Sequence, residues 1–406
     1  MKILFVTGSL PYPPQQGGAL RTYGLLKGLH QAGHDLTLLS FTDVNNTNYA
    51  GTPLETFCTH IKTVDTPNRS RQDRLRDLFL SREPDIARRL YSAEFETQLK
   101  ELIRTNPFDL IQFEGIEVAC YLPIVRQMKT PAKLIYDAFN AEAAMQHAIF
   151  TIDRGNPKRW PAAAYSLIQS LRIAKFEDML CQQADLVIAV SNEDASILRQ
   201  YHPQKPVPVV ANGIFTNEYE KPNEELNLSE PALVFTGKMD YRPNVDAVQW
   251  FTEQILPLIK QAAADVKFYI VGQKPHENLE PLRDNSSVVV TGWVESVLPY
   301  LKGASVYVAP LRMGSGTRLK ILEAMAAGCA VVATTLAASG MQRETEMGML
   351  IVDNPEKMAE TIIKLLNTPD YRSKLGQTAH QYVKTHYDWS VLIPKLLAAY
   401  EALERG

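Results

Sequence analysis

Short apolar runs recur along the entire chain of 406 residues, and this rhythm constrains the fold more than any other feature. The runs are rich in β-branched residues and lack polar alternation, which is typical of strands buried on both faces. Amphipathic stretches of helical length separate them, so the sequence predicts an α/β fold with parallel sheets covered by helices. The predicted strands are Ile3–Val6, Leu36–Phe41, Leu110–Phe113, Leu134–Tyr136, Leu186–Val190, Leu233–Thr236, Val266–Val271, Val288–Thr291, Val306–Ala309, Ala330–Thr334 and Met349–Val352. The predicted helices include Ala19–Ala32, Glu94–Thr105, Asn244–Ala262 and Trp389–Leu403.

The strand and helix rhythm runs through twice, with an interruption near the middle of the chain. Pro203–Pro208 is rich in proline, and Asn217–Pro231 is polar, acidic and without periodicity. Since 406 residues exceed one ordinary hydrophobic core, we expect two doubly wound domains connected in this region. Ligands of open parallel sheets bind at the carboxyl ends of the strands, so functional residues are expected there.

The composition excludes several classes of protein. A net charge of −3 provides no basic field for a nucleic-acid partner. The four cysteines are scattered without a C-x-x-C pair, which argues against a disulfide framework and a cysteine-based zinc site. The first apolar run ends before Thr7, and no run approaches the ~18 residues that a membrane-spanning helix needs. We therefore expect a soluble, cytoplasmic protein.

A glycine-rich loop follows one predicted strand and leads into a helix. The strand ends at Pro310, the loop contains Gly314-Ser315-Gly316, and the helix is predicted from Thr317 to Ala327. Glycines allow the backbone to approach a ligand closely, and the free N–H groups of a first helical turn attract anions. The loop therefore predicts an anion site.

Charged residues in this helix strengthen the prediction. Arg318 and Lys320 lie in the first turn, where cations are unfavourable unless an anion compensates them. Glu323 follows, and its carboxylate is placed where it can accept both hydroxyls of a ribose. The alternative is a solvated helix start in which the Gly-Ser-Gly sequence has no functional role.

The segment from Lys320 to Ala333 resembles the signature of glycosyltransferase family 4, whose members are retaining enzymes of the GT-B fold. It reads Lys-x-x-Glu-Ala-Met-Ala-Ala-Gly-Cys-Ala-Val-Val-Ala. Further family features occur in the expected order across nearly the whole chain, and the ordered set is more specific than any one of them. They are Gly17–Arg21, Val190–Ser191, Asn212–Ile214, Phe235–Met239, Val271–Gly272 and Thr291–Val294.

The resemblance implies a GT-B architecture, in which two Rossmann-like domains with doubly wound parallel sheets face a central cleft. Residues 1–216, with a returning helix in residues 388–406, would form the acceptor-side domain, and residues 217–387 would bind the nucleotide sugar. The implied reaction is the retaining transfer of a sugar from a nucleotide-diphosphate donor to a hydroxyl acceptor, with no metal or other cofactor. The implied role is surface glycan, glycolipid or polysaccharide synthesis on a glycan or lipid-linked acceptor.

The resemblance also implies roles for individual residues. Glu323 would hold the ribose, and Lys238, Arg318 and Lys320 would stabilise the diphosphate. These four residues form the implied catalytic group. Lys238 replaces the usual arginine, and Arg242 is a loose match to its usual lysine partner. The residues implied to bind the donor are Gly17, Gly18, Arg242, Trp293, Val294, Ser315, Gly316, Thr317 and Leu319.

Two positions depart from the family pattern. Ser315 stands where the family commonly has the first glutamate of Glu-x7-Glu, so the resemblance does not name the donor sugar. Phe139 stands where a histidine near the transferred sugar is common. Polar candidates for the sugar or acceptor side remain at Asp137, Asn140 and Glu142, although Asn140 is equally suited to a turn or helix cap.

These departures leave two alternatives to a glycosyltransferase. One is a nucleotide-sugar epimerase with the same fold, and the other is a non-catalytic subunit that binds a sugar nucleotide. A dinucleotide oxidoreductase is disfavoured because the turn after the first strand lacks G-x-G-x-x-G.

One segment predicts a further surface. Arg69–Arg89 contains seven arginines and four acids among apolar residues, which is typical of a helix resting on an anionic membrane or binding a charged acceptor. A solvated helix face is the alternative. Lys158–Trp160 and Tyr165 are similar in character and extend the same hypothesis, which would place the protein peripherally at the inner face of a membrane.

Overall fold

The computed structural model describes residues 1–14, 17–42, 49–220, 226–313, 319–341 and 346–405. The chain divides into two compact units, Met1–Ala211 with Ile393–Gly406, and Asn212–Leu392. The boundaries predicted at residues 216 and 388 fall a few residues inside the second unit. Each unit contains one six-stranded sheet, and every strand pair in both sheets is parallel. The predicted α/β class with two doubly wound sheets is confirmed.

The sheet of the first unit has the strand order β3-β2-β1-β4-β5-β6. Its strands are β1 (Lys2–Thr7), β2 (Asp35–Thr42), β3 (His60–Asp65), β4 (Leu110–Glu114), β5 (Lys133–Ala138) and β6 (Leu186–Ala189). The five predicted strands of this half are confirmed, but β3 is missing from the prediction. This edge strand is mostly exposed along its length, so it lacks the continuous apolar run of its buried neighbours.

The sheet of the second unit has the strand order β12-β11-β10-β7-β8-β9. Its strands are β7 (Ala232–Thr236), β8 (Lys267–Val271), β9 (Val288–Gly292), β10 (Val306–Ala309), β11 (Val331–Ala333) and β12 (Met349–Ile351). All six predicted strands of this half are confirmed. Because β7 and β8 lie next to each other, the residues that follow them meet at one edge of the sheet.

The described helices cover both faces of the sheets. They are α1 (Gly17–Gln31), α2 (Leu54–Phe57), α3 (Arg71–Leu80), α4 (Asp85–Arg89), α5 (Ala93–Thr105), α6 (Ile116–Ala119), α7 (Leu122–Gln127), α8 (Glu142–Asp153), α9 (Trp160–Gln183), α10 (Asn192–Tyr201), α11 (Thr216–Glu220), α12 (Arg242–Trp250), α13 (Leu256–Ala262), α14 (Leu298–Lys302), α15 (Leu319–Ala326), α16 (Pro355–Asn367), α17 (Pro369–His386) and α18 (Trp389–Arg405). Short 3-10 helices occur at Pro157–Arg159 and Glu277–Asp284. Among the described residues, no helix combines the length and the apolar character needed to cross a membrane.

The helix predicted as Asn244–Ala262 is interrupted in the structure. A π-helical segment, Phe251–Ile255, separates α12 from α13. Pro257 occupies the first turn of α13 and has no N–H to donate to the preceding turn, so the backbone widens before it.

Aromatic packing holds the core of the first unit. Phe41 of β2 stacks on Phe95 of α5 with ring centroids 4.0 Å apart, and both side chains are fully buried. Burial of each such ring contributes roughly 1.5–3 kcal/mol. At the other face, Gly28 of α1 allows close approach of α18, because a Cβ there would lie 2.4 Å from Ile393 Cγ1. Tyr400 of α18 donates a hydrogen bond to Gln112 of β4, so the last helix is anchored in the core of this unit.

Candidate functional site

Two glycines shape the carboxyl edge of the second sheet. Gly237 follows β7 and Gly272 follows β8, and the N–H of Gly237 donates to the carbonyl of Val271 over 3.0 Å. A Cβ on Gly272 would lie 1.8 Å from the carbonyl oxygen of Gly237. Since no real side chain tolerates that distance, the two strand ends can lie this close only without a Cβ at Gly272.

Lys320 lies over this edge from the first turn of α15. Its Nζ donates to Asn244 Oδ1 over 2.6 Å and lies 4.4 Å from the centroid of the Phe235 ring. A Cβ on Gly237 would lie 2.7 Å from the same Nζ. The ammonium group is therefore positioned at the carboxyl end of β7 by a neutral amide, an aromatic face and a glycine.

Asn244 connects the parts of this site and was not singled out from the sequence. It is 5% exposed in α12, accepts from Lys320 and donates from Nδ2 to the backbone carbonyl of Lys238 over 2.8 Å. No signal in the sequence indicated this role, because Asn244 lies in the first turn of α12, where a polar side chain is common.

Glu323 lies one turn after Lys320 on the same face of α15. It is half-buried, and its Oε1 accepts a hydrogen bond from the hydroxyl of Tyr219 over 3.0 Å. Burial raises the pKa of Glu323, while the Tyr219 hydrogen bond and the charge of Lys320 act in the opposite direction. Burial and the Glu323 carboxylate together raise the pKa of Tyr219 well above its ordinary value. Tyr219, in α11, is a second residue that the sequence did not indicate.

The remaining described candidates of this unit lie at loops around the same sheet edge. Lys238 is half-exposed, and its Nζ lies 3.5 Å from Asp240 Oδ2. Arg242 is exposed at the first position of α12. Trp293 and Val294 follow the last residue of β9, and the Trp293 side chain is 65% exposed.

The residues just before the glycine-rich loop, Leu311 and Arg312, are held by side-chain contacts. Arg312 makes a two-point ion pair with Asp246 of α12 at 3.0 and 2.7 Å, and its guanidinium carbon lies 5.0 Å from the centroid of Trp250. Thr334 donates to the carbonyl of Leu311 over 2.5 Å. These contacts hold the chain where the loop starts. The candidates Ser315, Gly316, Thr317 and Arg318 lie outside the described residues, so their roles stay predictions, while Leu319 is buried as the first residue of α15.

In the first unit, Phe139 packs against two glycines. A Cβ on Gly18 would lie 3.0 Å from the Phe139 ring, and one on Gly115, which has a φ of +85°, would lie 3.2 Å from it. Gly17, by contrast, has open space around its Cβ position. The start of α1 and the loop after β4 are therefore both shaped by the aromatic ring that stands in place of the expected histidine.

Asp137 has a buried internal partner. Its two carboxylate oxygens accept from Arg21 Nη2 and Nε over 2.7 and 2.8 Å, and both side chains are at most 1% exposed. Arg21 also donates to the carbonyls of Val210 and Ala211. Burial lowers the pKa of Arg21, but the charge and hydrogen bonds of Asp137, together with the charge of Glu114, outweigh burial and raise this pKa, so the guanidinium stays charged. This geometry gives Asp137 the role of a counter-ion inside the unit.

A cavity of about 340 Å³ opens at the carboxyl ends of β4 and β5. Asn140 and Glu142 lie in its wall, and Asn140 Nδ2 donates to Glu142 Oε1 over 3.0 Å. Burial, supported by the charge of Glu117, raises the pKa of Glu142 to about 7. The wall also contains Arg89, paired with Glu117 at 3.0 Å. Carboxyl, amide and guanidinium groups in one cavity suit a ligand with several hydroxyls.

Comparison with known proteins identifies the family. The profile described as Glycosyltransferase Family 4 matches residues 16–218, and the profile described as Glycosyl transferases group 1 matches residues 230–368. The first match covers half of the chain, and the two matches follow each other along it. The chain belongs to glycosyltransferase family 4.

Two relatives show where the similarity lies. The chain is 24% identical over 241 residues to an uncharacterized glycosyltransferase of Methanocaldococcus jannaschii, covering 55% of this chain and 60% of that protein. It is 26% identical over 230 residues to a phosphatidyl-myo-inositol mannosyltransferase of Propionibacterium freudenreichii, covering 54% and 57%. The chain thus spans less than two thirds of the length of these relatives.

Solved structures share the fold over the whole chain. Sucrose-phosphate synthase of Thermosynechococcus elongatus superimposes with a TM-score of 0.69 at 16% identity, covering 100% of this chain and 99% of the other. HepE of Anabaena, solved with UDP and glucose, superimposes with a TM-score of 0.64 at 14% identity, covering 99% and 100%. At these identities the likeness establishes the fold, and the predicted GT-B architecture is confirmed in its two sheets.

Proposed function

We propose that this protein is a retaining glycosyltransferase that moves a sugar from a nucleotide-diphosphate donor to a hydroxyl of a glycan or lipid-linked acceptor. Family membership supports the transfer, and the similarity to a phosphatidyl-myo-inositol mannosyltransferase supports a role in glycolipid or surface glycan synthesis. The observation that carries the proposal is the group formed by Lys320, Asn244 and Glu323 at the carboxyl edge of the second sheet.

The donor nucleotide binds to this group. The Glu323 carboxylate accepts hydrogen bonds from the ribose hydroxyls, while Lys320 contacts the diphosphate. Asn244 orients the Lys320 ammonium through its neutral amide oxygen, 2.6 Å away. HepE, which shares the fold, binds UDP, and a uridine donor is therefore our first choice for this chain.

The site acts by stabilising the leaving diphosphate. The bond between the anomeric carbon and the phosphate oxygen breaks, and the acceptor hydroxyl attacks from the face that the leaving group vacates. The acceptor proton passes to the departing phosphate oxygen, so no separate base is needed and Phe139 is compatible with activity. Preorganised donors at a developing negative charge contribute roughly 3–4 kcal/mol each, and Lys238, Arg318 and Lys320 supply them here. The departing phosphate oxygen takes the acceptor proton, and the cationic side chains stabilise its negative charge. The proposed reaction therefore requires no metal.

The acceptor binds in the first unit, in the cavity beside Asn140 and Glu142. With a pKa of about 7, Glu142 can donate a hydrogen bond in its protonated form and accept one when ionised. Both forms suit the hydroxyls of a glycan.

A panel of UDP-, GDP-, ADP- and TDP-sugars tests the proposal by thermal shift and product analysis. A true donor present at a hundredfold excess over its Kd stabilises the protein by about 2.7 kcal/mol. NMR of the product then reports the configuration at the anomeric carbon, which should equal that of the donor. An isomerised donor formed without acceptor would indicate an epimerase, and binding without turnover on any acceptor would indicate a non-catalytic subunit.

A further inference from the structure

Helix α9 buries both polar and apolar residues, the apolar ones being Ala163, Ile173, Leu180 and Cys181, and it exposes large apolar side chains. Its inward face carries four buried polar residues, and its outward face carries large exposed apolar ones. The buried polar residues are Ser166, Gln169, Ser170 and Glu177. On the outside, Trp160 is 61% exposed, Ile168 is 41% exposed and Leu171 is 61% exposed. At 100° per residue these three positions fall within about 80° of one another, so they form one stripe.

The polar residues on the inside have internal partners. Gln169 Oε1 accepts from the N–H of Asp85 over 2.9 Å. Glu177 accepts from the N–H groups of Glu142 and Ala143 over 2.7 and 3.1 Å, and thereby caps the start of α8. Gln169 and Glu177 thus have hydrogen-bond partners within the unit, whereas the exposed apolar side chains of α9 contact water.

Helix α8 packs against α9 and exposes two further aliphatic side chains. Ile149 is 38% exposed and Ile152 is 52% exposed. The Trp160 indole donates to the carbonyl of Arg154 over 3.3 Å, which ties the end of α8 to the start of α9. We call Ile149, Ile152, Trp160, Ile168 and Leu171 the α8–α9 surface. A cluster of exposed aliphatic and aromatic side chains of this kind marks an interaction site.

The charged residues in the segment that joins α8 to α9 and forms most of α9 have one sign. From Arg154 to Phe176 the sequence contains five lysines and arginines and no aspartate or glutamate. Lys158 and Lys175 are exposed, while Arg159 is paired with Asp153 at 3.0 Å. The basic surroundings favour an anionic partner.

Part of the arginine-rich segment predicted from the sequence is engaged in ion pairs within the unit. Arg69 is paired with both Asp77 and Asp85 at 2.6 and 2.7 Å, and Arg88 is paired with Asp77 at 3.0 Å. With Arg89 paired to Glu117, these arginines hold α3, α4 and α6 together. Leu80 is 80% exposed and Arg74 and Arg82 are exposed, so the membrane contact predicted for this segment stays a prediction beside the α8–α9 surface.

We propose that the α8–α9 surface docks on an anionic lipid membrane. The aliphatic side chains enter the boundary between headgroups and acyl chains, Trp160 lies at the headgroup level, and Lys158 and Lys175 contact lipid phosphates. The inward face of the same helix lines the 340 Å³ cavity through Tyr165 and Gln169. Docking therefore places this cavity one helix diameter, ~10 Å, from the membrane, where, on the function proposed above, it receives a lipid-linked acceptor.

Vesicle flotation of the full chain tests this docking. We expect the protein to float with phosphatidylcholine vesicles containing phosphatidylglycerol, and to float less with pure phosphatidylcholine or at high salt. Ile168→Ser with Leu171→Ser should weaken binding about tenfold or more, because two exposed aliphatic groups are lost. Lys158→Glu should weaken it at least about fivefold. Leu226→Ser, at a site 40% exposed in the second unit, is the matched control and should bind normally.

Other outcomes overturn the proposal. Equal flotation of the control and the Ile168→Ser/Leu171→Ser variant, or no flotation of the parent protein, contradicts docking through this surface. If light scattering instead shows a dimer that this variant dissociates, a second copy of the chain is the occupant. Donor binding by the variant, measured by thermal shift with the sugar-nucleotide panel, shows that it is folded. Because donor binding does not involve this surface, failure of the proposed function is recognised separately.

Discussion

The buried ion pair between Arg21 and Asp137 provides a test that separates structure from chemistry. Asp137→Asn keeps the volume of the side chain but leaves a guanidinium that is 1% exposed without its counter-ion. Removing one partner of a buried pair costs about 3–5 kcal/mol. The asparagine carbonyl retains one of the two hydrogen bonds, so we expect a loss near 3 kcal/mol. In a unit of roughly 200 residues this lowers the Tm by about 6–12 °C.

Thermal unfolding followed by circular dichroism measures this loss. Arg21→Met combined with Asp137→Leu removes both charges and should recover part of the stability, because an apolar pair replaces the buried ions. Recovery will be incomplete, since the carbonyls of Val210 and Ala211 lose their donor. If Asp137 instead contacts the transferred sugar, Asp137→Asn will unfold at the normal temperature and lose turnover. That result would refute the structural role.

Three further predictions concern the sheet edge and the cavity. Gly272→Ala places a methyl group 1.8 Å from the Gly237 carbonyl oxygen and should destabilise the protein by about 3 kcal/mol in urea denaturation, whereas Gly292→Ala, with open space and a φ of +74°, should cost about 1 kcal/mol. Asn244→Ala releases the lysine of the site and should lower kcat/KM about tenfold, and an unchanged value would exclude this positioning role. The raised pKa of Glu142, about 7, means that its ionisation costs stability as the pH rises from about 4.5 through 7. Glu142→Gln should therefore gain roughly 1–3 kcal/mol over the parent at pH 8 and nothing at pH 4, and equal gains at both pH values would contradict this reasoning.

The sheets could be predicted from the sequence because their strands are buried on both faces. Such strands are continuous apolar runs, and every predicted strand is confirmed. The edge strand β3 was not predicted, because half-exposed strands mix polar and apolar residues and lack a continuous apolar run. The π-helical interruption before α13 was also not predicted, although Pro257, which causes it, is visible in the sequence.

The candidate site could be predicted only in part. Lys320 and Glu323 belong to one short motif, so their spacing is visible in the sequence. Their partners come from far away: Asn244 lies 76 residues before Lys320, and Tyr219 lies 104 residues before Glu323. Only the folded sheet brings these groups together.

Asp137 shows what a position at a strand end leaves open. A carboxylate at the end of a buried strand has the position expected of a ligand-binding group. Its partner Arg21 is 116 residues away, so the pair becomes evident only in the structure. Asn140 and Glu142, a few residues further on, line a cavity, and their role on the acceptor side stays a prediction.

Calorimetric donor binding, paired with turnover, tests the central claim that Lys320 and Glu323 hold the nucleotide sugar. Lys320→Met and Glu323→Gln should each weaken binding of the donor found in the panel by about tenfold or more, since each removes a charged hydrogen bond. Both should reduce transfer further, because Lys320 also stabilises the leaving diphosphate. The exposed residues Lys357 and Glu360 of α16 provide matched controls as Lys357→Met and Glu360→Gln, which should behave as the parent protein. Parent-like binding and turnover in the Lys320 and Glu323 variants would contradict the account.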